Sequence, residues 1–241
     1  MDNNQISIAT ITWARDEQEE ALLKKSLQLL AKTGIPVFLT DGGSSAGFLE
    51  FLGSFSNFTL SHSVQKGVWM QAKTSLFQAY QSGSKFIFYT EPDKLDFFEN
   101  SLQLFLDKVL KGEEGIVLAS RSKESFSTFP GFQQMTETTI NNCCAEIIGK
   151  SVDCCYGPFL MDRSFVPYLN HLPQEIGWGW RPYTFGIARR LGIHIESFVG
   201  EFSCPLNQQN DNLKERIYRM KQLSQNIEGL TLSATISLQE K

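Results

Sequence analysis

Two carboxylates, Glu91 and Asp93, stand one residue apart directly after the apolar run from Phe86 to Thr90. The run is short and rich in β-forming residues, which indicates a strand buried on both faces of a parallel sheet. Pro92 cannot continue a central strand, so both carboxylates should lie on the loop beyond its carboxyl end. Ligands bind at that edge of open α/β sheets, and the two carboxylates can bind one Mg²⁺ or Mn²⁺ ion that bridges phosphates. The alternative is a solvated acidic turn.

A second polar loop, residues 41–45 (DGGSS), follows the apolar run 35–40. The carboxylate of Asp41 at a strand end can accept the N–H of a nucleobase or a ribose hydroxyl. The two glycines after it let the backbone approach a ligand closely. Alternatively, Asp41 is a helix N-cap or a turn former.

Basic and aromatic residues near predicted strand ends are further candidates. Lys66, Lys73 and Arg15 can neutralise a diphosphate, although a single surface cation is often only solvated. Trp178 and Trp180 can stack on the face of a sugar, or they can be core or interface aromatics.

The elements that must position these residues alternate between strand and helix. Strands are predicted at 6–13, 35–40, 58–62, 86–90, 115–120, 157–161 and 193–199. Helices are predicted at 16–32, 46–52, 65–81, 95–111, 133–149, 163–170, from about 182 to 190, and 212–227. Residues 120–132 are predicted to form a long functional loop. Such alternation with short connections is typical of an α/β protein with a mostly parallel sheet.

Composition sets limits on the class of protein. The 241 residues suffice for one large α/β core, and 41% hydrophobic with 20% charged residues are ordinary for a globular protein. The net charge of −4 argues against a protein that binds nucleic acid by neutralising its phosphates.

The cysteines argue against a disulfide framework and against a zinc site. They form two adjacent pairs and a singleton: Cys143, Cys144, Cys154, Cys155 and Cys204. The sequence shows no signal-peptide pattern and no apolar run long enough to span a membrane. We therefore expect a cytoplasmic protein with reduced thiols.

Four motifs, taken in order, resemble those of the glycosyltransferase A (GT-A) fold in its family-2-like, nucleotide-sugar-dependent form. They are Thr12-Trp13-Ala14-Arg15, the loop 41–45, Lys66-Gly67 with Lys73 after it, and Glu91-Pro92-Asp93. The resemblance covers about residues 6–199. It implies a single-domain, Rossmann-like α/β fold with a mostly parallel central sheet flanked by helices.

The resemblance also implies roles for residues in the donor half. Nucleobase and ribose contacts would come from Thr12, Trp13, Arg15, Asp41 and Gly42. Contacts to the diphosphate and sugar would come from Lys66, Lys73 and Glu91. The metal-binding Asp-X-Asp of the family corresponds to Glu91-Pro92-Asp93, with glutamate in place of the first aspartate, and the implied cofactor is Mn²⁺ or Mg²⁺.

The acceptor half resembles the family less closely. Many inverting members carry an acid in a Gly-Trp-Gly-like loop, whereas this chain has no acid after Trp178 and Trp180. Glu175, just before them, is the candidate general base, and both tryptophans are candidates for sugar binding. His194, on a late predicted strand, corresponds to a third metal ligand, or it is a structural histidine. A retaining mechanism would need no such base.

These features predict a glycosyltransferase that moves a sugar from a nucleoside diphosphate sugar to an unidentified acceptor, which could be a saccharide, a small molecule or a lipid-linked compound. One alternative is a nucleotide-sugar-binding or scaffold protein of the same fold without turnover. A nucleotidyltransferase ranks third, because residues 12–16 lack the glycine-rich loop such enzymes carry. The predicted catalytic domain spans 1–205, with donor half 1–120 and acceptor half 121–205. Residues 206–241 form a C-terminal helix and tail that pack on the domain or on a second copy of the chain.

Overall fold

The computed structural model describes residues 5–63, 65–109 and 115–238. The chain divides into two compact units. The first consists of Met1–Glu113 and Gly157–Pro167, and the second of Glu114–Tyr156 and Tyr168–Lys241, as far as these residues are described. The predicted change from donor half to acceptor half at residue 120 lies close to the first of these boundaries.

The described residues contain seven strands and nine α-helices. The strands are β1 (Ile6–Thr12), β2 (Val37–Asp41), β3 (Phe58–His62), β4 (Phe86–Thr90), β5 (Gly115–Arg121), β6 (Phe159–Asp162) and β7 (His194–Gly200). The helices are α1 (Glu17–Lys32), α2 (Ala46–Gly53), α3 (Val68–Gln81), α4 (Leu95–Asn100), α5 (Leu102–Val109), α6 (Lys123–Ser127), α7 (Gly131–Ile148), α8 (Trp180–Arg190) and α9 (Leu213–Thr235). Arg163–His171 and Gln174–Gly179 are 3₁₀ segments.

The first unit is built on five strands in the order β3-β2-β1-β4-β6. Four of them are parallel, and β6 runs antiparallel to β4. Every residue of β4 is buried, which confirms the prediction that this strand is covered on both faces. Because the chain leaves β1, β2 and β4 at the same edge, the loops that follow these strands are neighbours.

Local sequence signals explain where the helices of the first unit begin. Asp16 caps α1, since its side chain accepts a hydrogen bond from the backbone N–H of Glu19. Ser45 caps α2 in the same way. Gly67 precedes α3 with φ 117°, a conformation that favours glycine.

The predicted continuous helix over 95–111 is wrong, because the backbone breaks at Ser101 between α4 and α5. The rings of Phe97 and Phe105 are 5.8 Å apart, and both pack on Phe88 of β4. Residues eight apart in a straight helix are separated by about 12 Å along its axis. The break therefore allows both rings to enter the same core.

In the second unit β5 pairs in parallel with β7, and the helices α7, α8 and α9 pack on one another. The loop predicted over 120–132 is wrong, since this stretch holds α6 and the start of α7. Ser122 caps α6 by accepting from the backbone N–H of Ser125 at 3.0 Å, and Glu124 follows in the first turn. The polar residues of this stretch therefore cap and begin a short helix.

A buried ionic network ties β5 to the rest of the second unit. The guanidinium of Arg121 binds Glu137 of α7 at 2.6 Å and Asp153 at 2.6 and 2.9 Å. The rings of Phe126 and Phe129 lie 4.7 and 4.5 Å from its centre. The Arg121 side chain is 1% exposed, so this network is removed from solvent.

The five cysteines are free thiols. No helix among the described residues is both long enough and apolar enough to span a bilayer.

Arg121→Met should lower the free energy of unfolding by about 3–5 kcal/mol, because Asp153 would remain buried without its counter-charge and Glu137 would keep only the longer ion pair with Arg219 at 3.7 Å. Urea denaturation of wild type and variant measures the difference. Arg216→Met is the matched control, since the ion pair of Arg216 with Asp211 is exposed and its loss should change little. An Arg121→Met protein as stable as the control variant would contradict the structural role of the network.

Burial alone would raise the pKa of Asp153, but the hydrogen bonds and charge of Arg121 hold it below its ordinary value. The pKa of an aspartate in an unfolded chain is about 3.9. The stabilisation from Asp153 is therefore present above that pH and is lost as the pH falls through its folded-state pKa. The free energy of unfolding should therefore fall from about pH 4 downward, and less steeply in Asp153→Asn. Equal slopes in denaturant titrations at several acid pH values would contradict this assignment.

Candidate functional site

The carboxyl ends of three parallel strands form the candidate site in the first unit. Thr12 at the end of β1 lies opposite Asp41 at the end of β2, and Thr10 lies opposite Thr90 of β4. The loops after β2 and β4 therefore lie on either side of the end of β1. Two inter-strand spacings and an offset of two residues along the strands place their first residues about 12 Å apart, within reach of one ligand.

Asp41 is the best-connected side chain at this edge, although it is 2% exposed. Its Oδ1 accepts from the backbone N–H groups of Gly43 and Ser44, both at 2.8 Å. Its Oδ2 accepts from the hydroxyls of Thr12 at 2.9 Å and Ser44 at 2.6 Å. A carboxylate has about four acceptor positions. All four are used within the protein, so Asp41 shapes the loop and has no position left for a base.

Ser44 connects the exits of β1 and β2. Its hydroxyl accepts from the backbone N–H of Ala14 at 2.8 Å while it donates to Asp41. The backbone N–H of Gly42 donates to the carbonyl of Thr12 at 2.7 Å. Sequence reasoning assigned no role to Ser44, although an aspartate followed three residues later by serine is typical of a side-chain-closed turn.

Trp13, directly after β1, is 53% exposed and is the large aromatic side chain that the end of β1 presents to solvent. The Arg15 guanidinium lies 6.0 Å from its ring centre and pairs with the carboxylate of Glu19 on α1. Trp13 therefore keeps an open ring surface for stacking, and the Arg15 charge is partly neutralised.

The two predicted lysines differ in their surroundings. Lys66 is exposed in the turn before α3. Lys73 is half-buried, and its ammonium lies 6.0 and 5.8 Å from the ring centres of Trp69 and Phe77 on the same helix. Lys66 is thus the more available cation.

The carboxylates after β4 sit on a loop held at several points. Thr10 donates to the carbonyl of Thr90 at 2.8 Å, and Ser26 of α1 donates to the carbonyl of Pro92. Glu91 is 8% exposed and packs against Gly157. A Cβ added to Gly157 would lie 1.9 Å from Oε2 of Glu91, and its φ of 131° also favours glycine. The position of Glu91 therefore depends on this glycine.

Glu91 and Asp93 are the hard oxygen ligands that Mg²⁺ and Mn²⁺ prefer, and one or two carboxylates suffice when phosphates and water complete the shell. The residues therefore fit such an ion. Asp93 is half-buried, with the ammonium of Lys94 at 3.4 Å from its Oδ1. No three His, Cys, Asp or Glu side chains among the described residues form a group that could hold a metal ion.

His194 is the first residue of β7 in the second unit, within the strand predicted at 193–199. Its side chain is 66% exposed and contacts the carboxylate of Glu196, which also pairs with Lys150 at 3.0 Å. These contacts hold the pKa of Glu196 below its ordinary value, the hydrogen bond from Lys150 contributing most. His194 is thus one member of an exposed ionic cluster.

The Gly-Trp-Gly stretch in the second unit packs against α9. A Cβ on Gly179 would lie 2.1 Å from the carbonyl oxygen of Gln225, so the two backbones touch here. Trp178 donates through its indole N–H to the hydroxyl of Tyr218 at 3.0 Å. Trp180 is completely buried and has no face for a sugar, whereas Glu175 is exposed.

Comparison with solved structures decides the fold. Glucosyl-3-phosphoglycerate synthase from Mycobacterium tuberculosis with bound UDP is 16% identical, with a TM-score of 0.63 over 96% of this chain and 81% of that one. Mannosyl-3-phosphoglycerate synthase from Rubrobacter xylanophilus is 13% identical, with a TM-score of 0.65 over 98% and 77%. This chain has the GT-A glycosyltransferase fold.

The GT-A fold, a mostly parallel sheet flanked by helices, confirms the predicted fold class. Another structure of the mycobacterial synthase holds Mn²⁺, UDP-glucose and phosphoglyceric acid, at 15% identity and a TM-score of 0.65 over 96% of this chain and 80% of that one. No protein-family model matches the chain, and no curated protein sequence does. At these identities the likeness establishes the fold, while residue roles come from the geometry above.

Gly157→Ala should destabilise the first unit and displace the carboxylate of Glu91, because the new methyl group overlaps it. Gly43→Ala is the matched control, since Gly43 has a similar φ of 119° but open space around its Cβ position. Both variants carry about 1–3 kcal/mol of backbone strain. Thermal unfolding should show a clearly larger loss for Gly157→Ala, and equal losses would contradict the packing of Glu91 on Gly157.

Proposed function

We propose that the protein transfers a sugar from a nucleoside diphosphate sugar to an acceptor, with a divalent cation at Glu91 and Asp93. The observation that carries this proposal is the edge formed by β1, β2 and β4. There the loops that begin at Trp13 and after Asp41 lie next to the loop that carries Glu91 and Asp93. Solved structures of the same fold hold UDP and Mn²⁺.

Each residue at this edge has a distinct part in binding the donor. Trp13 supplies an aromatic surface for the base, and Asp41 with Ser44 fixes the loop beneath it. Lys66, exposed in the turn before α3, is positioned to approach the diphosphate. Glu91 and Asp93 would hold the divalent cation, which when bound would supply positive charge to stabilise the leaving diphosphate. The protein otherwise holds the donor and orients it toward the acceptor.

For the acceptor, we propose only a chemical class. The similar structures include complexes with phosphoglyceric acid, so an anionic three-carbon acid is the first acceptor to try. Glu175 is exposed in the second unit and remains the proposed base for an inverting reaction. Trp178 remains the proposed sugar-stacking residue, whereas the burial of Trp180 removes it from the proposal.

A binding protein without turnover is the second candidate. It is favoured by the ammonium of Lys94, which lies 3.4 Å from Asp93 and competes with a metal ion. The two candidates differ in one measurement: an enzyme hydrolyses or transfers the sugar of a bound donor, and a binding protein only binds it.

Asp93→Asn should abolish the Mn²⁺-dependent part of the stabilisation by UDP while leaving the fold intact. The physical reason is that the amide lacks the charge that binds a hard cation. Thermal shift assays with UDP, with and without Mn²⁺, measure this effect, followed by assays of UDP-glucose turnover.

Asp96→Asn is the matched control, because Asp96 is exposed on α4 three residues further along the chain. It removes the same charge without touching the strand end. A Mn²⁺-dependent shift of equal size in Asp93→Asn and wild type would contradict the metal site. Absence of a shift with any of UDP, CDP, GDP and ADP in the wild type would contradict the proposed function.

A further inference from the structure

Gln71 is a buried polar side chain at the candidate site that the sequence analysis gave no role. It lies in the first turn of α3, where its backbone N–H donates to the carbonyl of Gly67 at 3.2 Å. The residue is 9% exposed. Its carboxamide has no hydrogen-bonding partner among the residues that the structure describes. Buried amides are normally paired, so this group is suited to a partner supplied by a ligand.

The carboxamide lies where the exits of β1 and β2 meet. A Cβ added to Gly42 would be 2.8 Å from Nε2 of Gln71 and 3.2 Å from Cβ of Trp13. The helix α3 packs against both strands, so its first turn is fixed relative to them. Gly42 thus lies between the carboxamide of Gln71 and the Cβ of Trp13, and its missing side chain leaves room for both.

Because the carboxylate of Asp41 is already hydrogen-bonded within the protein, Gln71 is the side chain at this edge that is suited to hydrogen bonding with a base. All four acceptor positions of the Asp41 carboxylate are used by Thr12, Gly43 and Ser44. A carboxamide presents an acceptor and a donor side by side in one plane. The N3–H and O4 of uracil present the complementary donor and acceptor in the same arrangement.

We propose that Gln71 determines the base specificity of the donor by hydrogen bonding to the edge of uracil, while the base rests against Trp13. This inference rests on the proposed function and adds the residue that selects the nucleotide. The carbonyl of Gln71 accepts from N3–H, and its NH₂ group donates to O4. In this orientation the amide is mismatched with cytosine and adenine, whose ring nitrogen accepts and whose amino group donates, whereas guanine presents the same pattern as uracil.

Calorimetric titration of UDP, CDP, GDP and ADP in the presence of Mn²⁺ tests this role, with Mn²⁺-pyrophosphate as a probe that lacks a base. The wild type should prefer UDP. Gln71→Met keeps the shape of the side chain and removes both hydrogen bonds, so UDP should bind about tenfold more weakly. Pyrophosphate should bind as in the wild type, because it does not reach the base site.

Gln78→Met is the matched control, since it is the same change two helical turns along α3. Its carboxamide donates to Ser61 and lies outside the proposed base site. The control should keep the wild-type preference for UDP. Gln71→Glu keeps the length of the side chain but removes its N–H donors, so it should lose the preference too and serves if the methionine variant does not fold.

Three results would overturn the inference, and they differ in what else they affect. An unchanged UDP preference in Gln71→Met and Gln71→Glu would remove the specificity role and leave the proposed function standing. A wild-type preference for CDP, GDP or ADP would remove the uracil assignment alone. A wild type that binds no nucleoside diphosphate would overturn the proposed function and this inference with it.

Discussion

A single buried carboxylate, that of Asp41, organises the edge of the sheet on which the proposed site depends. Burying a charge is unfavourable unless it is fully hydrogen-bonded, and Asp41 meets this condition with four donors from three residues. Because Thr12 and Ser44 both bind it, the ends of β1 and β2 are joined, and Trp13 and Gly42 are held in place. The position of the exposed Trp13 ring therefore depends on the hydrogen-bonded carboxylate of Asp41.

The loop after β4 is fixed by different contacts, which involve its backbone carbonyl groups. Its backbone is held by hydrogen bonds from the hydroxyls of Thr10 and Ser26. Gly157 leaves room for Glu91 against β6. One acidic loop is thus closed by its own carboxylate, and the other is held through its backbone carbonyl groups.

In the second unit, the glycines around Trp178, the side chain of Trp180 and a buried ion-pair network build the fold. The glycines around Trp178 let the backbone touch α9, and Trp180 fills the core. The charges of Arg121 and Asp153 neutralise each other out of solvent. Placing such groups in the interior requires complete pairing, which favours one arrangement of β5 and its neighbours.

The sequence by itself determined the alternation of strands and helices and the carboxylates beyond β4, because these follow from local periodicity and the geometry of proline. It missed the break at Ser101, which depends on aromatic packing between residues far apart in the chain. Only the tertiary structure decided that Asp41 is saturated and that Gln71 is left without a described partner. Both depend on contacts between different strands and helices, and no local pattern records which donor will face which acceptor.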